Sequence, residues 1–256
     1  MRSGRHATTV LTMPILVIEH DSADTPGILG RVLGRHGLRF RTIRLHAGEQ
    51  LPPDLDDVDG IISLGGPQSA TDDALPWLAG EMRLLQGAAA RSIPILGVCL
   101  GAQILARALG GTVGRMSAPS AGLGRVDLTP AGREDPLFRG LAWYGAWPGS
   151  HQDEVTQLPP DARVLARSEA CAVEAFACGL FSYGVQFHPE WSASAFVSRC
   201  ESGGLLGDGD RAALAATIRD QAESIERQAE RFAENVASFL LPIERVNAGV
   251  AKDIHH

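Results

Sequence analysis

Short apolar runs separated by amphipathic stretches set the rhythm of this chain. Ile15 to Ile18 is continuously apolar, as a strand buried on both faces would be. Pro26 to Gly37 follows with Ile28, Leu29, Val32 and Leu33 at helical spacing and a glycine as the stop signal. Phe40 to Leu45 is interrupted by Arg41 and Arg44 and predicts a second strand. The polar, proline-bearing stretch 51–57 connects it to a third, Val58 to Leu64, closed by Gly65-Gly66-Pro67. Trp77 to Ala90 predicts a second helix, which returns the chain to another buried strand, Ile95 to Val98. Strands alternating with helices predict an α/β fold, a central mostly parallel sheet with helices on both faces.

The pattern is less regular further on. Gly111 to Leu128 predicts strands of an irregular sub-sheet, with Thr129 to Gly132 as a turn. Ser150 to Val155 reads as a polar loop. Val164 to Glu169 and Val173 to Phe181 predict adjacent strands, leading through Tyr183 to a late strand that ends in His188 and Glu190. Cys200 to Asp210 is glycine-rich and reads as a loop. Arg211 to Leu241 predicts one long helix capping the sheet, with Leu214, Ile218, Ile225, Ala229, Phe232, Val236 and Phe239 at helical spacing and Glu and Arg on the other face. The expected organisation is an arm at 1–13, a single domain at 14–241 with its core at 14–191, and a tail at 242–256.

The chemistry concentrates where strand turns into helix. Cys99 follows the apolar run Ile95 to Val98 directly, and from Ala102 the pattern is helical. Gly97 and Gly101 allow a tight turn, the logic of a nucleophile elbow. A helix N-terminus favours the thiolate, the reactive form of the side chain. The N–H of Leu100 is placed to help hold an oxyanion. Taken singly, Cys99 is a packing cysteine and His188 a satisfied histidine. Together with Glu190 they make a nucleophile, a base and an orienting carboxylate, because strand residues two apart share a side. His151 with Asp153 is a competing base pair.

Composition narrows the setting. Among 256 residues, 45% hydrophobic and 21% charged, the net charge of -7 gives no electrostatic case for nucleic acid. No apolar run approaches the roughly 20 residues of a membrane span. Val10 to Ile18 contains Thr12 and Pro14 and runs into Glu19-His20-Asp21, which predicts a first strand behind a polar arm rather than a signal peptide. Of the four cysteines, Cys171 and Cys178 lack partners at metal-ligand spacing and read as packing residues, and His255-His256 is too short for a metal site. Dependence on a free thiolate suits a reducing, cytoplasmic setting.

Three segments, Ser63-Leu-Gly-Gly-Pro67, Gly97-Val-Cys-Leu-Gly-Ala-Gln103 and Gln186-Phe-His-Pro-Glu190, resemble the motifs of the class I glutamine amidotransferases. The resemblance runs from about Pro14 to Trp191 and implies a flavodoxin-like sheet and a Cys99-His188-Glu190 triad. It adds Gly66 as a second oxyanion donor beside Leu100, and Gly65, Gln103, Ser150 and Gln152 at the substrate. Asp135 to Phe138 resembles a short helical turn of free-standing members. The implied activity is hydrolysis of the glutamine side-chain amide through a cysteine thioester, without metal or organic cofactor, the ammonia passing to a separate synthase or synthetase. A partner-independent hydrolase or transferase of γ-glutamyl peptides or amines is the alternative. A non-catalytic regulatory protein is the second alternative, which an intact triad disfavours.

Overall fold

The computed structural model describes residues 14–202 and 208–241. In order these form β1 (Ile15–Glu19), α1 (Gly27–Arg35), β2 (Phe40–Arg44), β3 (Gly60–Ser63), α2 (Leu78–Ala90), β4 (Ile95–Val98), α3 (Leu100–Ala108), β5 (Thr112–Leu128), α4 (Pro130–Glu134), β6 (Tyr144–Gln157), β7 (Arg163–Arg167), β8 (Ala175–Cys178), β9 (Ser182–Val185), α5 (Ala193–Ser202), α6 (Asp208–Asp220) and α7 (Ala222–Asn235). A short 3-10 turn spans Pro136–Phe138, as the resemblance implies. The expected arm and tail, 1–13 and 242–256, lie outside the described residues, as does 203–207 of the expected glycine-rich loop.

One nine-stranded sheet runs in the order β2-β1-β3-β4-β9-β8-β7-β5-β6. From β2 to β9 every pairing is parallel. From β9 onward the pairings are antiparallel, so the whole is a mixed sheet. The links from β7 to β8 and from β8 to β9 are too short for a crossover helix, which dictates antiparallel pairing.

In the parallel half, neighbouring residues of one strand feed opposite cores. Ile15 and Val17 pack with Leu29, Val32 and Leu33 of α1 and Phe232 of α7. Leu16 and Ile18 pack with Leu84, Leu85 and Ala88 of α2 and Ile104 and Leu105 of α3. That double burial is why these strands are continuously apolar. Among the described residues no helix is long and apolar enough to cross a membrane.

Several elements differ from expectation. The stretch Ser150 to Val155 is not a loop but lies within β6, paired with β5. Its buried side, His151, Asp153 and Val155, alternates as a strand must, but two of the three are polar because they face a cavity. The long helix expected at 211–241 is instead α6, a break at Gln221, α7, and a π-turn at Val236–Leu240. Its apolar positions serve two cores: Ile218 and Ile225 join Trp191 and Phe196 in a small cluster, whereas Ala229, Phe232 and Val236 join the main one. Thr129 to Gly132 is the start of α4, with Thr129 Oγ1 accepting the Gly132 N–H as its cap. The stretch after Trp191 contributes a helix, α5, which includes Cys200 to Ser202 of the expected loop.

The elbow depends on two glycines. A Cβ on Gly101 would stand 2.1 Å from the Ser63 carbonyl oxygen, and one on Gly97 would stand 2.6 Å from the Gly101 carbonyl oxygen. Both obstacles are backbone, which cannot swing aside. Gly101→Ala is therefore expected to destabilise the chain by about 1–3 kcal/mol, seen as a lower urea midpoint at unchanged m value.

Candidate active site

The site gathers at the carboxyl ends of β1, β3, β4 and β9, where ligands sit in open α/β sheets. Cys99 is the residue between β4 and α3, with φ 51° and ψ -107°. A non-glycine residue held at positive φ is strained, and such strain persists only where the surroundings over-determine it. Here they do. The Cys99 N–H donates to Val185 O at 2.8 Å, the Gly101 N–H to Leu64 O at 3.1 Å, and the Gln103 N–H to Cys99 O at 3.1 Å. The thiol is buried beside the Ser150 carbonyl, 3.8 Å from Sγ.

His188 and Glu190 meet as expected but not on a strand. The strand β9 ends at Val185, and the two residues lie in the turn beyond it. Pro189 has no N–H to continue a ladder, and the His188 N–H donates instead to Pro148 O of β6 at 2.9 Å. The imidazole Nδ1 lies 2.7 Å from Glu190 Oε1, with both residues buried. Trp191 stacks on the ring, centroids 3.5 Å apart and planes 9° from parallel. Burial is the largest influence on this imidazole and opposes its charge, but Glu190 and Cys99 together raise its pKa above the ordinary histidine range. Among the described residues Nε2 has no hydrogen bond of full geometry, so it is open to a proton in transit.

Cys99 and His188 line one cavity of about 620 Å³, and Gly66, Leu100, Gln103, Ser150 and Gln152 line it too. Gly65 stands beside it, where a Cβ would lie 2.8 Å from His188 Cε1. The ring is held by Glu190 and Trp191 and cannot yield cheaply, so Gly65→Ala should cost on the order of 10²-fold in kcat/KM and lower the melting temperature by several degrees, as overpacking by about 1–3 kcal/mol does. Gln103 is buried, and its Nε2 donates to Asp153 O at 2.8 Å and to Gln186 Oε1 at 3.1 Å. It therefore ties α3 to β6 as it walls the cavity. The competing base, His151, also faces the cavity, but its Nδ1 meets the Asp153 main-chain oxygen at 3.1 Å, not a carboxylate. The Asp153 carboxylate is taken by Ser69 Oγ at 2.6 Å and Arg115 at 3.3 Å. Burial, first, then the nearby His188 lower the His151 pKa. Cys171 and Cys178 hydrogen-bond to the main chain at Val173 and Pro160, away from the cavity.

A family model, "Glutamine amidotransferase class-I", matches residues 29–200. The chain belongs to the class I glutamine amidotransferases. One subunit of the glutamine-hydrolysing GMP synthase of Pyrococcus abyssi is 41% identical over 51% of this chain and 65% of its own length. Gamma-glutamyl peptidase 3 of Arabidopsis thaliana is 35% identical over 62% of this chain and 66% of its own. This chain thus spans less than two thirds of either relative's length. The crystal structure of a glutamine amidotransferase from Methylobacillus flagellatus superposes with a TM-score of 0.77 at 25% identity, over 87% of this chain and 93% of that one.

Several residues at or under the cavity carry no sequence signal. Asp24, in the loop after β1, presents its carboxylate so that it, His188 and Glu190 offer atoms all within 4.8 Å of one another. Asp24 Oδ1 pairs with Arg199 Nη2 of α5 at 2.6 Å, and the Arg199 guanidinium lies 4.3 Å over the Trp191 ring. His20 and Glu81 form a wholly buried pair behind the Gly65-Gly66 loop. These partners are far apart in the chain, and no spacing rule connects them.

Proposed function

We propose that this chain hydrolyses the side-chain amide of glutamine, or of another γ-glutamyl compound, through a thioester on Cys99. The observation that carries the reading is the meeting at one cavity of a strained strand-to-helix cysteine with a buried histidine held by a carboxylate. The Cys99 thiolate attacks the amide carbon. The oxyanion rests on the N–H groups of Gly66 and Leu100, each donor lowering the barrier by about 3 kcal/mol. His188 gives its Nε2 proton to the amide nitrogen, the C–N bond breaks, and ammonia or an amine leaves. Water then attacks the thioester as His188 takes its proton, and the γ-carboxylate and thiol separate. Glu190 keeps the ring oriented and stabilises its charged form.

Two roles fit this chemistry. Likeness to a GMP synthase subunit supports delivery of ammonia to a separate synthase. Likeness to a γ-glutamyl peptidase, and a cavity larger than one glutamine needs, support partner-free hydrolysis of γ-glutamyl peptides or amines. Glutamate release from glutamine and from a panel of γ-glutamyl peptides and amines distinguishes them. Brisk Cys99-dependent turnover of one peptide or amine assigns the second role; slow glutamine turnover that rises with an added synthase assigns the first; turnover of none by the chain alone or with the synthase would overturn the reading.

A further inference from the structure

Beneath the Gly65-Gly66 loop lies a polar cluster that the reaction itself does not use. His20, just past β1, and Glu81, on α2, are both fully buried. His20 Nδ1 lies 3.0 Å from the Leu64 carbonyl oxygen and 3.3 Å from that of Gly65. His20 Nε2 lies 2.8 Å from Glu81 Oε2, and Glu81 Oε1 accepts from Ser63 Oγ at 2.7 Å. Carbonyl oxygens only accept, so Nδ1 is the donor to both. Gln68 Nε2 donates to the His20 carbonyl at 3.0 Å and folds the far side of the loop onto the same residue.

A trans peptide is planar, with its C=O and N–H pointing opposite ways, and no cis peptide occurs among the described residues. A Gly65 carbonyl drawn toward His20 therefore sends the Gly66 N–H the other way. Gly66 itself borders Cys99 and Leu100 in the cavity wall. It has no room for a side chain: a Cβ would stand 2.5 Å from Gln68 Oε1 and 2.7 Å from His20 Cβ. Two successive glycines can also rotate the peptide between them at little cost, since both signs of φ are open to them. The glycines themselves favour neither direction strongly, and the His20 donor biases it.

We propose that the His20–Glu81 pair is a positioning device for the oxyanion hole, holding the Gly65–Gly66 peptide with its carbonyl turned from the reacting sulfur and its N–H turned toward it. The inference rests on the thioester mechanism above for its kinetic consequence, but not for its geometry. Glu81 keeps the ring from turning, and Ser63, at the end of β3, keeps Glu81 in place. Burial opposes a charged His20, whereas Glu81 and the two carbonyls favour it and raise its pKa. The hole is then formed before substrate arrives, without a partner to flip the peptide.

His20→Phe keeps a ring but removes the donor; Glu81→Gln keeps the shape and frees the imidazole to change tautomer. For His20→Phe, kcat should fall on the order of 10²-fold, as for loss of one oxyanion donor, with KM little changed and a smaller effect of the same sign in Glu81→Gln. Affinity for the γ-aldehyde analogue of glutamate, which adds to Cys99 to give a tetrahedral adduct, should fall by the same factor as kcat. Glutamate binding and alkylation of Cys99 by iodoacetamide should not change. Parallel loss of all four, or of none, in a folded variant would overturn the proposal. Crystal structures test it without turnover: the Gly65–Gly66 peptide should be flipped or mixed in either variant that folds, and the native orientation there would overturn it. Flipped variants of a wild-type chain that turns over no γ-glutamyl compound would leave the positioning role standing and remove the proposed function.

Discussion

Cys99→Ala should lose at least about 10⁴-fold of turnover, by analogy with the loss of a nucleophile from a cooperating catalytic set, while the fold stays intact. The thiol reaches the cavity, but the local architecture rests on its neighbours: main-chain hydrogen bonds of residues 99, 101 and 103 to Val185, Leu64 and Cys99 itself, and the missing Cβ atoms of Gly97 and Gly101. None of these uses the sulfur. Circular dichroism and the melting temperature should therefore match the wild type to within a few degrees, since about 1 kcal/mol corresponds to roughly 2–4 °C at this size. Cys99→Gly tests the strain separately. It relieves a positive φ that costs about 1–3 kcal/mol in other residues, partly offset by the entropy of glycine. It should be inactive and no less stable than Cys99→Ala. A clearly less stable Cys99→Gly would mean that the elbow is not strained.

Glu190→Gln is the second large effect. Glu190 Oε1 sits 2.7 Å from His188 Nδ1, and the pair is buried. An amide in its place can present its N–H₂ to the ring and favour the wrong tautomer, and it no longer stabilises the imidazolium. The carboxylate-to-amide change in a serine protease triad costs about 10⁴-fold, and a loss of roughly 10²- to 10⁴-fold in kcat is expected here. Burial is the largest influence on His188 and pulls its pKa down, and Glu190 is the first of the groups that reverse it. The imidazole pKa should therefore fall in the variant, as read from ring-proton shifts. A histidine whose native pKa is raised contributes stability that is fully present below its unfolded pKa and is lost as pH rises through the native value. The stability gap between wild type and Glu190→Gln should thus be widest in mild acid, below the ordinary histidine pKa of about 6.5, and should narrow steadily as pH rises through neutral into alkali. A gap that widens with rising pH would show that Glu190 does not hold His188 protonated.

Much of this is legible in the chain because particular physical demands leave marks. Strands buried on both faces must be continuously apolar, so β1, β3 and β4 can be read directly. A sharp strand-to-helix turn needs small residues at fixed places, so Gly97, Cys99 and Gly101 mark the elbow. The pairing of His188 with Glu190 follows from the chain for the wrong local reason: a proline turn, not strand alternation, brings them together. The polar strand β6 escapes a pattern-based reading because its buried positions face a cavity and carry His151 and Asp153 where a core strand carries apolar residues. The break at Gln221 escapes it because helical spacing continues through it with no glycine or proline, and Ile218 before it and Ile225 after it pack in the same small cluster. His20, Asp24, Glu81 and Arg199 leave no mark, since each acts through a partner dozens of residues away.

The most direct measurement is the intact mass of the chain, quenched during turnover of the best γ-glutamyl substrate and followed by peptide mapping. The predicted result is a population heavier by one γ-glutamyl group, located on Cys99, lost with time as glutamate appears and absent in Cys99→Ala. Turnover with no adduct, an adduct on another residue, or an adduct surviving in Cys99→Ala would contradict a thioester at this elbow.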